Sequence, residues 1–466
     1  MQRPRTLGEL ERSGYAPKSV KDELRANLLE KIRSGQELFP GIIGYADTVI
    51  PAIENAVLAG HDMIFLGERG QAKTRLMRSL IHLLDDAIPA VSGCEIHDNP
   101  FAPVCLRCRN AVDEHKDLTE ISWIPRAPRY AEKLATPDVT IADLIGDIDP
   151  IKVAEGRHLS DELVIHYGLI ARANRGIFSI NEIPDLHEKI QVGLFNLLEE
   201  RDVQIRGYKV FMPLDVYIVA TANPEDYTSR GRIITPLKDR FGAQIRTHYP
   251  ATREQEMRIV RQEMRAFEHD GFCLSLPGFM EEIISEISQT ARRTSDINHS
   301  SGISVRMTIH NMETVISNAM RRAVRLGENE IAPRITDLAH LPSSMKGKIE
   351  WNFTEDAEED RKITTLIADA VQKVFRQHFP SDHFGPFLKQ FSLTDGWEVW
   401  ETAPARRYLD RLEQVPSLKK QVCAEGGETS PGIAAAAVEF ILEGLALRGK
   451  ITRQVHDQHL QYSTNP

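Results

Sequence analysis

A short apolar run, Met63-Ile64-Phe65-Leu66, passes straight into Gly67-Glu68-Arg69-Gly70-Gln71-Ala72-Lys73-Thr74 and then into a helical pattern from Arg75 to Leu84. No other stretch limits the fold so strongly. A buried strand that ends in a glycine-bearing loop and restarts as a helix points backbone N–H groups at whatever sits above the turn, and the helix N-terminus favours an anion there. Lys73 adds a charge that pairs with phosphate, and the Thr74 hydroxyl can ligate Mg²⁺. Gly67, Gly70, Gln71, Ala72, Lys73 and Thr74 are therefore the candidate phosphate- and metal-binding residues of the loop. Ala72 stands where the general pattern has glycine. Its methyl suits a helical backbone, whereas a positive φ would strain it. The competing reading is a plain turn before a core helix.

Further apolar runs recur at Ile121–Ile124, Gly176–Ile180, Val216–Thr221 and Gln244–Tyr249. Helical patterns separate several of them, as expected of buried parallel strands joined by helical crossovers. The expected fold class is α/β: an αβα core with a parallel sheet over residues 39–250, followed by a helical lid at 251–345 and a mostly helical C-terminal region at 346–466. Before the core, residues 1–38 read as a helical extension that Ser19 caps and Gly35 ends.

Three more segments carry polar groups to the ends of strands. Gly176-Ile177-Phe178-Ser179-Ile180-Asn181-Glu182 is a buried run that delivers Asn181 and Glu182 at its C-terminal end. Glu182 can take a proton from an attacking water, an effect worth about 10²–10⁴ in rate. Asn181 stands where an aspartate is usual for steadying Mg²⁺, and the missing charge predicts a higher Mg²⁺ requirement and slow turnover. Thr221-Ala222-Asn223-Pro224-Glu225-Asp226 ends a third strand with Asn223, which can hydrogen-bond a lytic water and a γ-phosphate; Asn-Pro is also a common turn. Pro236-Leu237-Lys238-Asp239-Arg240-Phe241-Gly242 presents Arg240 before the last strand, where it can reach a neighbouring subunit's phosphate. Arg306 opens a helix of the lid and can close on the same phosphates. A surface salt bridge is the competing reading of both arginines.

Taken in order, the loop, GLIARANRGIFSINEIPDL, QVGLFNLLEERDVQI, TANPED and LKDRFG resemble the ATPase subunit of magnesium chelatase, an AAA+ protein. The loop itself is more similar to the MoxR ATPases of the same helix-2-insert clade. The resemblance runs from about Phe39 to Leu326. It implies an ATP- and Mg²⁺-dependent ring, commonly a hexamer, with sites at subunit interfaces, Ile43 and Gly44 beside the nucleotide, and a partner carrying a von Willebrand A domain. By position, Arg157–Leu169 (within 155–172) matches the helix-2 insertion and Val203–Leu214 the hairpin before the sensor strand. The last 120 residues match the chelatase subunit poorly.

Between the loop and the acid strand, Cys94-Glu95-Ile96-His97 is followed by Cys105-Leu106-Arg107-Cys108, an insertion spanning 92–110. The spacing C-x2-H-x7-C-x2-C offers four ligands for a structural Zn²⁺, Cys94, His97, Cys105 and Cys108. Incidental thiols beside a histidine are the alternative. Asp plus Glu number 67 against 57 Lys plus Arg, a net charge of −10, which argues against unspecific binding to nucleic acid or anionic membranes. Five cysteines, an N-terminus without the apolar segment of a secretion signal, and the lack of any apolar run of membrane-helix length predict a cytoplasmic protein. Three functions compete: a motor remodelling an unknown protein substrate, the ATPase subunit of a magnesium chelatase, and a slow scaffold that signals by its nucleotide state.

Overall fold

Strands covered on both faces must be apolar along their whole length. Gly176–Asn181 and Val216–Ala222 are buried at every position, and Met63–Leu66 at all but the last. The computed structural model describes residues 3–155, 162–199, 212–223, 233–267, 271–298, 302–352, 356–380, 384–393, 396–426, 430–456 and 459–464. It divides into two units, Met1–His248 and Tyr249–Pro466.

In chain order the strands of the first unit are β1 (Met63–Leu66), β2 (Ala87–Val91), β3 (Ile121–Pro125), β4 (Tyr130–Leu134) and β5 (Gly146–Ile148). They continue with β6 (Ile165–Tyr167), β7 (Gly176–Asn181), β8 (Val216–Ala222) and β9 (Ala243–Arg246). Five form a central sheet in the order β4-β7-β8-β1-β9, with every neighbouring pair parallel. Side chains alternate between its faces. Met63, Phe65, Tyr217 and Val219 enter one core with Leu24, Val57 and Leu76, all from helices. Ile64, Phe178, Ile218 and Ala220 enter the opposite core with Ile170 and Leu194. Helices thus cover both faces, and the architecture is the expected αβα sandwich.

Two strand expectations need correction. The run at Ile121–Ile124 lies outside the central sheet: β3 pairs antiparallel with β2 in a separate ribbon. The edge of the central sheet is β4 instead, and Tyr130-Ala131-Glu132-Lys133-Leu134 offers no continuous apolar run because an edge strand is only partly covered. The final strand ends at Arg246, short of the expected Tyr249.

The N-terminal helix Val20–Ser34 begins where the Ser19 hydroxyl accepts from the Asp22 amide and ends at Gly35, whose φ of 66° suits glycine. It is built into the first unit by a buried pair: the Arg129 Nη1 and Nη2 groups donate to the two Glu23 carboxylate oxygens at 2.8 and 2.6 Å. Such a bidentate pair is strong, and losing one partner would leave an uncompensated buried charge.

In the second unit, helices Gly278–Arg293, Val305–Leu326, Asp356–His378 and Pro431–Leu447 contribute Ile283, Val315, Phe375 and Phe440 to a single apolar core. The rings of Phe279 and Phe440 stack at 4.3 Å. The stretches on either side of residue 345 therefore share one core. Strands Trp397–Trp400, His459–Thr464 and Ile451–His456 add a three-stranded antiparallel sheet, which the helical reading of this region did not contain. Among the described residues, no helix is long and apolar enough to cross a membrane.

Candidate nucleotide site

Parallel pairing brings the carboxyl ends of β1, β7 and β8 together, so the loops after Leu66, Asn181 and Ala222 rise side by side. In open α/β sheets this is where ligands bind. The loop from Gly67 to Ala72 is tied down from within. A Cβ at Gly67 would collide with the Thr247 hydroxyl and the Gln71 side chain, so only glycine fits. The Gln71 amide oxygen accepts from the Glu68 N–H at 3.0 Å and from the Thr247 hydroxyl at 2.7 Å. The Tyr45 hydroxyl lies 2.9 Å from the Gln71 carbonyl oxygen, and burial pushes its pKa up to about 12. Gly70 and Ala72 have φ of 76° and 56°. Ala72 thus adopts the left-handed conformation that strains an L-residue, immediately ahead of the helix Lys73–Ser79.

Lys73 is buried, and its ammonium donates to the carbonyl oxygens of Gly67 and, at 3.0 Å, Glu68. It also donates to Asn223 Oδ1 at 2.5 Å. Asn223 Nδ2 in turn donates to Glu182 Oε2 at 2.8 Å. A chain Lys73–Asn223–Glu182 therefore links the loop, the β8 end and the β7 end. Glu182 also holds φ 56°, fixed by its N–H donating to the Thr221 hydroxyl at 3.0 Å. Thr74 Oγ1 donates to Asn181 Oδ1 at 3.2 Å, and Thr221 donates to the same oxygen at 3.3 Å. Ammonium, hydroxyl, amide and carboxylate converge in one corner, a donor set that fits a triphosphate and a hard cation.

A residue outside the sequence reading completes this corner. Asn181 Nδ2 donates to Glu132 Oε1 at 2.6 Å, across the β4–β7 pair. Glu132 is ion-paired to Arg78 at 2.7 Å, and that guanidinium holds its carboxyl below the usual range. The charge that aspartate would carry at 181 thus stands one strand away. An aspartate at 181 would press a second carboxylate against Glu132, and two carboxylates at that distance cannot both ionise freely. Nothing in the sequence spacing marks Glu132; only the strand pairing does.

The remaining candidates lie on other segments of the first unit or in the second unit. Ile43 and Gly44 (φ 87°) precede Tyr45, whose hydroxyl anchors Gln71. Arg240 ends the helix Thr235–Arg240, and its Nη1 donates to the Pro236 carbonyl at 2.9 Å. Arg306 is exposed in the first turn of Val305–Leu326 in the second unit, behind the Ser304 cap. Of the insertion expected at Arg157–Leu169, residues 157–161 lie outside the described residues, as do 203–211 of the expected hairpin and Pro224, Glu225 and Asp226.

The cysteine cluster differs from its expected ligand set. Cys94, Cys105 and Cys108 come together, but their fourth neighbour is Asp98. His97, with φ 53°, stands outside the group, and its Nδ1 is buried without a hydrogen-bond partner. Hydrogen bonds from Cys105 and then Cys108 draw the Cys94 thiol far down from its ordinary range.

Residues 163–240 match the sigma-54 interaction domain family. Over 240 residues the chain is 29% identical to the magnesium-chelatase 38 kDa subunit of Acidiphilium rubrum, covering 50% of this chain and 64% of that one. The chain thus resembles magnesium-chelatase subunits. The magnesium-chelatase 67 kDa subunit of Heliobacterium mobile is 28% identical over 264 residues, 55% of this chain and 37% of that relative. The chain thus spans less than two thirds of either relative's length. A chain in a complex between subunits BchI and BchD of magnesium chelatase is similar at 19% identity with a TM-score of 0.36, covering 69% of this chain and 98% of that one.

Proposed function

We propose that this chain is an ATP-hydrolysing, ring-forming motor that remodels a protein partner, in the manner of MoxR ATPases. The carrying observation is the Lys73–Asn223–Glu182 chain at the strand ends. In this reading the loop N–H groups and Lys73 hold the phosphates, which compete with Asn223 for the ammonium. Asn223, relieved of Lys73, then orients the lytic water toward Glu182, the general base. Thr74 and Asn181 would hold Mg²⁺, with Glu132 supplying negative charge behind Asn181. The bound cation would neutralise charge on the β- and γ-phosphates. Arg240 acts across the subunit interface, Arg306 closes from the lid, and Ile43 and Gly44 border the base. A structural Zn²⁺ at Cys94, Cys105 and Cys108 belongs to the same reading. Its partner carries a von Willebrand A domain, and the assembly is a cytoplasmic hexamer.

The similarity to magnesium-chelatase subunits favours a second reading, in which the ring drives Mg²⁺ into a tetrapyrrole. Affinity copurification separates the two, yielding a remodelled protein or tetrapyrrole enzymes. The shared-site mechanism has its own test. Arg240→Ala should leave ATP binding intact and cut turnover by about 10³ or more. Mixing it with Lys73→Ala subunits should restore part of the rate, because each completes the other's broken interface. Stable mixed rings without rescue would rule out a shared site, and normal single-chain turnover would rule out the ring. Turnover close to zero in wild-type protein that binds ATP would favour the nucleotide-state scaffold.

A further inference from the structure

The segment between β2 and β3 leaves the sheet ribbon at Val91 and returns at Ile121. Within it, one ligand atom from each of Cys94, Asp98, Cys105 and Cys108 lies within 4.8 Å of every other. A tetrahedral Zn²⁺ with bonds of about 2.0–2.3 Å separates its ligands by about 3.5–3.8 Å. The four groups therefore need to draw in by only about 1 Å to share one ion. The turn at Asn99–Ala102, closed by a 3.1 Å backbone bond, returns the chain so that the two halves face each other.

Backbone N–H groups already address the ligand atoms. The Asp98 N–H donates to Cys94 Sγ at 3.4 Å, the Cys108 N–H to Cys105 Sγ at 3.4 Å, and the Cys105 N–H to Asp98 Oδ2 at 2.9 Å. Such donors stabilise charge on thiolate and carboxylate ligands. The second oxygen, Asp98 Oδ1, is buried in a residue with no exposed surface and has no hydrogen-bond partner. A buried carboxylate oxygen left unpaired is costly unless something else, here a cation, takes it up.

We infer that Asp98, not His97, is the fourth ligand of a structural Zn²⁺ site made with Cys94, Cys105 and Cys108, and that the ion braces the root of the acid strand. The inference rests on the zinc reading proposed above and changes its ligand set. Three thiolates and a carboxylate give the site a net charge of about −2, and the buried guanidinium of Arg175 acts on His97 beside it. Bracing follows from the links outward. Asn174 Nδ2 donates to the Ile96 carbonyl at 3.0 Å, and Arg175 Nη1 to the carbonyls of Pro89 and His97 at 2.6 and 3.3 Å. Those two residues immediately precede β7, and Asn174 Oδ1 accepts from the Asp215 N–H at the start of β8. The ion thereby fixes the roots of the two strands whose far ends carry Asn181, Glu182 and Asn223.

The test uses the full-length protein purified under reducing conditions without chelator, with zinc content by elemental analysis and affinity by competition with a chromophoric chelator. Wild type should carry about one zinc per chain. Asp98→Asn should weaken zinc binding by at least about 10–100-fold, while His97→Asn, a residue that tolerates the left-handed backbone, should retain it. Asp98→Cys should hold zinc at least as tightly as wild type, and its Co²⁺-substituted form should gain thiolate-to-metal absorption in the ratio of four ligands to three. That variant keeps the question open to disproof if Asp98→Asn fails to fold. Wild-type zinc affinity in Asp98→Asn, or zinc lost from His97→Asn, overturns the assignment of Asp98. Wild type without any metal overturns the zinc reading itself, and ATP binding is unaffected as evidence in either case.

Discussion

Two polar clusters buried in this chain are built on different terms. Around Asp337 in the second unit, charge meets opposite charge: Arg322 Nη1 and Asn318 Nδ2 donate to one carboxylate oxygen at 2.5 and 2.6 Å, and the Arg334 N–H to the other at 2.7 Å. Nearby, the fully buried Glu439 accepts from the Tyr408 hydroxyl at 2.6 Å. At the ends of β1, β7 and β8, the described contacts of the Lys73 ammonium include carbonyls and an amide oxygen, and two hydroxyls share the oxygen of Asn181. Ion pairs of good geometry hold one arrangement, whereas neutral acceptors give way to a stronger anion. The first cluster specifies packing, while the amide and hydroxyl contacts of the second are suited to exchanging partners with a ligand.

The sharpest way to break this contrast is to remove one charge from each cluster. Asp337→Ala leaves Arg322 buried without its carboxylate and should destabilise the second unit by about 3–5 kcal/mol, measured by urea unfolding, with ATP affinity unchanged. Lys73→Ala should do the opposite: ATP binding by calorimetry falls below detection while the unfolding midpoint moves little. Micromolar ATP affinity surviving in Lys73→Ala would remove the functional half of the comparison.

A smaller effect tests where the acid charge resides. Glu132→Gln should weaken Mg²⁺-dependent nucleotide binding by about 10–100-fold, as outer ligands of metals commonly do. Asn181→Asp alone should give little benefit, because it sets a carboxylate against Glu132. The exchange Glu132→Gln with Asn181→Asp restores one charge and should recover most of the affinity. Mg²⁺ titrations of nucleotide binding read all three. An exchange no better than Glu132→Gln alone would mean that Glu132 serves only to pair Arg78.

How legible these features were depended on how local their causes are. The loop, β7 and β8 announced themselves because full burial forces apolar runs and the polar groups follow directly in sequence. The edge strand β4 was hidden, since partial cover leaves Glu132 and Lys133 in an otherwise short apolar pattern. Glu132 could not be linked to Asn181 without the pairing of Leu134 with Asn181, a contact across 47 residues of sequence. Likewise His97 suited the expected metal spacing, and only the backbone turn with His97 at φ 53° sets Asp98 toward the sulfurs instead. Spacing reports which residues are near in the chain, while the direction of a side chain depends on local backbone conformation.

The smallest predicted effect sharpens the second unit's side of the contrast by titrating one of its charge clusters. His378 Nε2 lies 3.2 Å from a Glu282 oxygen and its Nδ1 lies 2.9 Å from Glu425. Hydrogen bonds to Glu282 and then Glu425 raise its pKa to about 9. The raised value means the fold favours the protonated ring. Its stabilisation is complete below the unfolded value of about 6.5 and is lost as pH rises through about 9. Arg253, 3.0 Å from Glu282, also shares that carboxylate, so part of the cluster outlasts the deprotonation. Between pH 6.5 and 9.5 the wild-type melting temperature should therefore fall relative to His378→Gln by about 2–4 °C for each kcal/mol lost. The comparison with His378→Gln cancels titrations elsewhere in the chain. Melting curves of the two proteins that stay parallel across this range would show that the histidine carries no differential charge, and that the second unit's polar clusters do not all close through ion pairing.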